Sequence, residues 1–350
     1  MKKLIIVVIT AALAISVASC KTAEQKPDVI NVPPAVAEAT QPITAVETQP
    51  GTAEDAPPTV TEEPPQHSGT GQIPPNMESS PSAGAFSFTA ENMPVIDGST
   101  ATIPLIEAVN SVLLGNPRGE AAQMVNISGT DSAYEKLIQG RADILLVYSP
   151  SPSVYESAKD NNVKLEMAPI GRDGLVFLVN RVNPVESVTP EQLVSIYSGE
   201  TTNWMDLGGE DTEITAFQRP YRSGSQTMMD ELVMKGVPMA QTEAEYVIGE
   251  MGGLIEAVAQ FDNARSAVGY NVYYFVSLME MNENVRMLRV NGVAPSTQSI
   301  SDGSYPFVSD FYAVIRADAP ADSPERVLYN WIQSADGQNL VKHEGYATAG

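Results

Sequence analysis

Met93-Pro94-Val95-Ile96-Asp97-Gly98-Ser99-Thr100-Ala101-Thr102-Ile103-Pro104-Leu105 is the stretch that decides the fold of this 350-residue chain. Its first four residues are apolar and predict a short strand. Asp97–Thr102 has the composition of a turn. Pro104 is typical of the first turn of a helix, which apolar residues extend to Leu114. A strand, a turn rich in hydroxyl groups and a helix therefore follow one another, and the turn lies at the helix N-terminus.

The alternation of strands and helices continues along the chain. Further strands are predicted at Ala142–Tyr148, Leu175–Val179, Ala267–Tyr270 and Phe311–Ile315, and helices at Ala133–Gln139, Pro190–Tyr197 and Pro324–Ser334. This alternation is typical of α/β proteins with mostly parallel sheets, which bind ligands at the carboxyl ends of their strands. The 265 residues from Phe86 onward exceed the commonest size of one domain and indicate two lobes or one large α/β unit.

A second donor-rich turn is Arg219-Pro220-Tyr221-Arg222-Ser223-Gly224-Ser225-Gln226-Thr227, which precedes a predicted helix at Met228–Met234. Guanidinium groups, hydroxyls and free backbone N–H groups are the donors that a small tetrahedral oxyanion requires. A helix N-terminus adds unpaired N–H groups and a favourable dipole. An ordinary turn that caps a surface helix is the alternative for this segment alone. Two such turns in separate parts of one chain favour a cleft that closes on an anion from two sides.

The N-terminus has the pattern of a lipoprotein signal peptide over residues 1–20. Lys2-Lys3 precedes an apolar run from Leu4 to Val17, which is too short for a comfortable membrane span, and small residues lead to Cys20. Cys20 is the only cysteine, so its expected use is lipid attachment. A plain signal peptide with a chance cysteine is the alternative. We expect an exported protein held by acyl chains on the extracytoplasmic face of the cell membrane.

Residues 21–88 are predicted to be a disordered, proline-rich tether. They contain 12 of the 26 prolines and no aromatic residue before Phe86. Such a composition buries too little apolar surface to offset the entropy of ordering. From Phe86 onward, 16 Lys and Arg residues stand against 34 Asp and Glu residues, which argues against nucleic acid or an anionic membrane surface as partner.

The residue inventory argues against an enzyme, a metal site and a cofactor. With Cys20 lipidated, His67 and His343 are the only remaining residues of the Cys/His type. A zinc site or a Cys/His catalytic pair cannot be assembled from them. The 14 methionines are interpreted as core residues rather than as copper ligands.

Short motifs of one known family occur in order between Met93 and Tyr346. They are Asp97–Leu105, Val179–Pro184, Ile196–Trp204, Leu207–Gly209, Arg219 with Ser223-Gly224-Ser225, Ala267–Tyr270, Tyr305–Phe307 and Gly337–Tyr346. The ordered set resembles the phosphate-binding proteins that serve phosphate ABC importers. The resemblance implies a type II periplasmic-binding-protein (PBP) fold, with two α/β lobes, a hinge and an interlobe cleft. It implies a binding domain at residues 89–350, with lobe I at about 89–172 and 290–350 and lobe II at about 173–289.

The resemblance also implies which residues bind the anion. The residues carried over are Ser99, Thr100, Ala101 and Thr102 in the first lobe, and Arg219, Ser223, Gly224 and Ser225 in the second. The chain departs from the family after the strand that ends at Tyr148, where many members have an Asp, or a Ser-Arg or Ser-Ser pair. In the phosphate-specific members that Asp accepts a hydrogen bond from the proton of hydrogen phosphate and repels fully ionised sulfate. Tyr148-Ser149-Pro150-Ser151-Pro152 stands there instead. Ser149 is retained as a candidate ligand, and Asp97 or Asp143 as a substitute carboxylate, although Asp143 is expected to be structural.

These residues and the resemblance together predict a monomeric solute-binding lipoprotein that captures inorganic phosphate. Its expected partners are the permease subunits of an ABC importer. A binder of another oxyanion such as sulfate is one alternative. A surface or sensor lipoprotein that keeps the fold without transport is another.

Overall fold

The structure is a computed structural model that describes residues 86–125, 127–261 and 263–348. Its strands are β1 (Ile96–Gly98), β2 (Ile144–Tyr148), β3 (Leu165–Asn180), β4 (Ser187–Val188), β5 (Thr215–Ala216), β6 (Ala267–Val272), β7 (Val285–Met287), β8 (Arg289–Val290) and β9 (Val308–Arg316). Its α-helices are α1 (Ile103–Leu114), α2 (Arg118–Ala122), α3 (Thr130–Ile138), α4 (Pro152–Asp160), α5 (Pro190–Ser198), α6 (Gly224–Met228), α7 (Met251–Gln260), α8 (Thr297–Ser301), α9 (Pro324–Gln333) and α10 (Ala335–His343).

The predicted signal peptide with Cys20, and the tether up to residue 85, lie outside the described residues. Phe86 and Phe88 are described, and their rings pack edge to face with centroids 5.0 Å apart. Phe88 is buried in the hydrophobic core. Packed structure therefore begins within the last three residues of the predicted tether.

Seven strands form one continuous sheet in the order β1-β2-β9-β3-β6-β5, with β7 also paired to β3. The pairs β1–β2 and β5–β6 are parallel. The pairs that β9 makes with β2 and β3, and the pairs that β3 makes with β6 and β7, are antiparallel. The prediction of a mostly parallel sheet is therefore wrong. The reason is that the two long strands, β3 and β9, lie between the parallel pairs. Each runs antiparallel to every strand with which it pairs.

The strand β3 changes partners in its middle and so divides the sheet into two halves. Residues 165–174 pair with β9, ending at the pair of Gly174 with Val308. Residues 175–180 pair with β6 and β7, beginning at Leu175. We call β1, β2, β9 and helices α1–α4, α9 and α10 the first lobe, and β5–β7 with α5–α7 the second lobe. The two lobes share β3.

Local sequence signals account for most elements. Pro104 lies in the first turn of α1, as predicted, and the helix ends at Gly115 in the left-handed region. Helix α5 begins with the predicted cap Thr189, which forms a capping box with Gln192. Helix α6 begins four residues earlier than predicted and continues as a π-helical turn at Met229–Met234. In the described part of the chain, no helix has the length and apolar composition that crossing a membrane requires.

Candidate anion-binding site

A cavity of about 490 Å³ lies between the two lobes. Its walls are Ser99, Thr100, Ile127, Ser128, Gly129, Thr130, Ser132 and Tyr148 from the first lobe, and Arg219, Pro220, Arg222, Ser223, Gly224, Ser225, Gly249, Glu250, Met251 and Val272 from the second. Six of the nine predicted ligands line this cavity: Ser99, Thr100, Arg219, Ser223, Gly224 and Ser225. Both donor-rich turns line the same cavity, which is the arrangement expected of a cleft closed from two sides.

Helix N-termini from both lobes point their first residues at this cavity. Thr100 begins the 3-10 turn that leads into α1, and Thr130 begins α3. Gly224 begins α6, and Met251 begins α7. The first N–H groups of a helix have no acceptor within the helix, and the helix dipole makes this end positive. These helix ends favour an anion in the cavity, although the whole chain carries a formal charge of −23.

The first-lobe turn places hydroxyl groups at the cavity wall. The Ser99 Oγ lies 2.8 Å from the Thr130 Oγ1. The same Ser99 oxygen accepts a hydrogen bond from the backbone N–H of Tyr148 at 3.2 Å. Thr100 follows Ser99 on the wall, with its first-turn N–H group available for a ligand. These contacts fix the Ser99 hydroxyl in one position beside the cavity.

Ala101 and Thr102 hold the turn in place and do not line the cavity. Both are fully buried. The Thr102 hydroxyl donates to the carbonyl oxygens of Ser99, at 2.8 Å, and Leu146, at 2.7 Å. The carbonyl oxygen of Ala101 accepts a hydrogen bond of 2.8 Å from the hydroxyl of Tyr346. Their contacts assign these two predicted ligands a supporting role for the turn.

In the second lobe, Arg219 is a buried cation. Its side chain donates from Nε to the Ser225 hydroxyl at 3.3 Å and from Nη1 to the Ile248 carbonyl at 2.8 Å, which leaves Nη2 outside these bonds. Its backbone N–H donates to the Tyr270 hydroxyl at 3.0 Å. Burial lowers the pKa of Arg219 to about 10, so the group stays charged at neutral pH. Within the described residues, no carboxylate lies within 4.0 Å of its guanidinium.

Ser223 and Gly224 shape the start of α6. The Ser223 hydroxyl caps the helix by accepting from the backbone N–H of Gln226 at 3.3 Å. A Cβ at Gly224 would lie 2.6 Å from the Thr130 Oγ1 and 3.2 Å from the Tyr148 Cβ, both in the opposite lobe. A side chain at this position would therefore hold the lobes apart. Glycine is required at position 224 because the two lobes approach each other closely there.

Ser149 is a further predicted ligand that does not line the cavity. It follows β2 and is half-buried. Burial raises the pKa of the Tyr312 phenol, on the neighbouring strand β9, and a hydrogen bond with Ser149 opposes that rise. The altered turn after β2 therefore brings Tyr148, rather than Ser149, to the cavity wall.

Asp97 and Asp143, the two candidate substitutes for the missing carboxylate, are both used elsewhere. Asp97 is buried, accepts from the Ser128 N–H at 2.8 Å and pairs with Lys136 at 3.2 Å. Asp143 pairs with Arg316 at 3.9 Å. Neither residue lines the cavity. Asp143 is structural, as expected. Asp97 lies within β1 rather than in a turn, and its contacts with Ser128 and Lys136 give it a structural role.

One part of the site was missed in the sequence although it carries a recognisable signal. Ser128-Gly129-Thr130 opens α3 on the first-lobe wall. It has the same order of residue types, hydroxyl–glycine–hydroxyl, as Ser223-Gly224-Ser225 on the opposite wall. That repeat before a helix could have identified Thr130 as a site residue.

Two charged residues were also not assigned to the site. Arg222 lines the cavity and lies 3.7 Å from Asp131 and 3.5 Å from Glu135, both on α3 of the first lobe, so it bridges the lobes. Glu250 is the only residue with a carboxylate among the described residues that line the cavity. Burial lowers the pKa of Arg219, and the negative charge of Glu250 partly opposes that change. Arg222 belongs to the donor-rich turn, but its bridge to α3 depends on an element far away in the chain, and Glu250 has no local sequence signal.

Comparison with known proteins identifies the family of this chain. A family model described as a PBP superfamily domain matches residues 95–334, more than half of the chain. The phosphate-binding protein PstS of Bacillus subtilis (strain 168) is 23% identical over 256 residues, covering 72% of this chain and 79% of that protein. The phosphate-binding protein PstS of Staphylococcus saprophyticus is 27% identical over 227 residues, covering 62% and 67%. The predicted resemblance is confirmed, and these relatives are binding proteins rather than enzymes.

Solved structures confirm the predicted fold class. A substrate-binding protein from Clostridium perfringens, solved with bound phosphate, superposes with a TM-score of 0.55 at 23% identity, covering 74% of this chain and all of that one. An ABC-type phosphate transport receptor from Vibrio cholerae superposes with a TM-score of 0.54 at 22% identity, covering 73% and 99%. At these identities the likeness establishes a common fold of two α/β lobes around a cleft.

Proposed function

Because this chain belongs to the PBP superfamily, we propose that it captures a tetrahedral oxyanion, inorganic phosphate, in the cleft between its two lobes. The observation that carries this proposal is the buried Arg219 guanidinium, which has no ion pair among the described residues and lines the cavity. An unpaired buried charge is costly, so a site that keeps one is built for a charge of opposite sign. The helix N-termini on both walls support the same sign of ligand.

The donors divide between the lobes. Arg219 supplies charge-assisted hydrogen bonds, with the Ser223 and Ser225 hydroxyls and the Gly224 N–H beside it in the second lobe. Ser99 and Thr100 supply hydroxyl and N–H donors from the first lobe, and Thr130 joins them. A tetrahedral anion has oxygens in all directions, so donors from both walls satisfy it only when the lobes are closed. Closing also removes water, which strengthens each of these bonds.

The transport role rests on the relatives. The curated relatives are named phosphate-binding proteins, and the Vibrio cholerae structure is described as a transport receptor. We therefore assign this chain the delivery of phosphate to the permease subunits of an ABC importer. Cys20 would anchor it by acyl chains on the extracytoplasmic face of the membrane, which acyl labelling of wild type and Cys20→Ser tests. The change of β3 pairing after Gly174 supports a lobe boundary near residue 173.

Sulfate is the second candidate ligand, because of one observation. Both Asp97 and Asp143 are held by structural contacts outside the cavity. Neither is placed to read the proton that distinguishes hydrogen phosphate from sulfate. Only Glu250 among the lining residues carries a carboxylate.

Calorimetric titration of the purified protein with phosphate, sulfate and nitrate tests the proposal. We expect phosphate to bind, and Arg219→Ala to lose several kcal/mol, since charged hydrogen bonds contribute about 1.5–3 kcal/mol each. Arg265→Ala is the matched control, because Arg265 is an exposed second-lobe arginine paired with Glu210 and remote from the cavity lining. Wild-type affinity in Arg219→Ala would place the site elsewhere.

A further inference from the structure

A buried carboxyl at the junction of the two lobes bonds to both of them. Asp173 lies on β3, next to the point where that strand changes partners, and is 1% exposed. It accepts a hydrogen bond of 2.6 Å from the hydroxyl of Tyr148 in the first lobe. It also accepts from the N–H of Tyr274, which follows β6 of the second lobe, at 3.1 Å, and from the N–H of Gly174 at 2.8 Å. Among the described residues, no lysine, arginine or histidine forms an ion pair with it.

Tyr148 connects this carboxyl to the cavity. Its backbone N–H donates to the Ser99 hydroxyl, which belongs to the first anion-binding turn. A Cβ at Gly224 of the opposite lobe would lie 3.2 Å from the Tyr148 Cβ, farther away than from the Thr130 hydroxyl. The Tyr148 hydroxyl ends on Asp173. One residue therefore contacts the turn, the opposing lobe and the junction.

We propose that Tyr148 and Asp173 act as one positioning pair, which holds the Ser99 turn in the geometry that binds the anion. This inference rests on the proposed function. Asp173 does not line the cavity, and so it acts through Tyr148 rather than on the ligand. A hydrogen bond to an ionised carboxylate is shorter and about twice as strong as one between neutral groups. The pair holds Tyr148 most firmly when Asp173 is charged.

The strength of the pair depends on pH. Burial raises the pKa of Asp173 to about 6, because the charged form loses its water, although its hydrogen bonds oppose the shift. Asp173 is therefore charged at pH 8 and mostly neutral at pH 5. The titratable and charged groups on the packed elements around it are those of Tyr148, Tyr274, Tyr346 stacked on Tyr274 at 3.7 Å, and the ion pair of Arg118 with Glu344.

A double-mutant cycle on phosphate affinity tests the pair. At pH 8 we expect Tyr148→Phe and Asp173→Asn each to raise the Kd for phosphate roughly tenfold. The double variant should be no weaker than either single variant, because both changes remove the same bond. Tyr305→Phe is the control: it also removes a buried tyrosine hydroxyl, bonded to the Leu175 carbonyl at 2.9 Å, and should leave the Kd unchanged. Thermal melts establish that each variant folds.

The pH profile supplies the second readout. The ratio of the variant Kd to the wild-type Kd cancels the titration of phosphate itself. We expect this ratio to fall towards one between pH 8 and pH 5, as wild type loses the charged bond. If the increases in Kd of the two single variants multiply in the double variant, Tyr148 and Asp173 do not act as a pair. A Kd ratio that is independent of pH would also contradict the proposal. Tighter binding by Asp173→Asn would show that the carboxylate only repels the anion. A wild-type protein that binds no phosphate would instead refute the proposed function.

Discussion

At the scale of single residues, we expect the placement of charge to decide which anion the cleft accepts. Arg219 provides a buried positive charge, and Glu250 provides a negative charge on the same wall. A carboxylate beside a bound anion is tolerated best when a hydrogen lies between their oxygens. Hydrogen phosphate brings such a hydrogen, whereas sulfate does not at neutral pH. The departure after β2 therefore need not remove selectivity, because a carboxylate from the other lobe is present.

We expect Glu250→Gln to reduce the preference for phosphate over sulfate by about tenfold, the equivalent of one charged hydrogen bond. Asp97→Asn should leave that preference unchanged and lower stability instead, because it weakens the contacts with Ser128 and Lys136. Paired titrations with both anions at pH 7 measure the ratio. Glu256→Gln, on the exposed face of α7, is the matched control. An unchanged ratio in Glu250→Gln would remove this residue from the account of selectivity.

At the scale of elements, function depends on how closely the start of α6 approaches the first lobe. Gly224→Ala adds a Cβ that would lie 2.6 Å from the Thr130 Oγ1, in the opposite lobe. We expect the variant to fold normally, since alanine is favourable in a helix, but to lose phosphate affinity at least about tenfold. Calorimetry measures the affinity, and small-angle scattering with and without phosphate measures closure. A variant that closes and binds as wild type would contradict the steric role of Gly224.

Elements with local signals could be predicted from the sequence, and those set by distant contacts could not. The cap at Thr189 and the apolar run of β2 identified α5 and β2, because each signal lies within the element. Helix α7 was not predicted, since Gly252 and Gly253 fill its first turn and disfavour helix. Strand direction also escaped prediction, because it depends on where β3 and β9 meet. Thr130, which joins the site through Ser99, carries a local signal in Ser128-Gly129-Thr130, but its contact with Ser99 depends on packing between distant segments.

At the scale of the whole molecule, Asp173 links stability to pH. Its pKa is raised from 3.8 to about 6, so the folded state binds this proton more tightly than the unfolded chain does. The stability that this proton contributes is fully present below about pH 4 and is lost as pH rises through about 6. A rise of the pKa from 3.8 to about 6 corresponds to about 3 kcal/mol at neutral pH.

We therefore expect the free energy of unfolding of Asp173→Asn, minus that of wild type, to increase as pH rises from 5 to 8, because only wild type has to ionise a buried carboxyl. Taking the difference between the two proteins cancels the other carboxyl groups, of which there are many in so acidic a chain. Urea unfolding followed by circular dichroism at each pH provides the values. A difference that stays constant across this range would show that Asp173 has an ordinary pKa.

The partner change in β3 has a mechanical consequence. The lobes are joined by β3 itself, which leaves its ladder with β9 at Gly174 and begins its ladder with β6 at Leu175. The connection is thus a strand that is hydrogen-bonded on both sides of this point, and strands twist readily. We therefore expect the cleft to open and close by rotation of one lobe about β3. A partner that contacts both lobes would then meet two different relative orientations, with and without the anion.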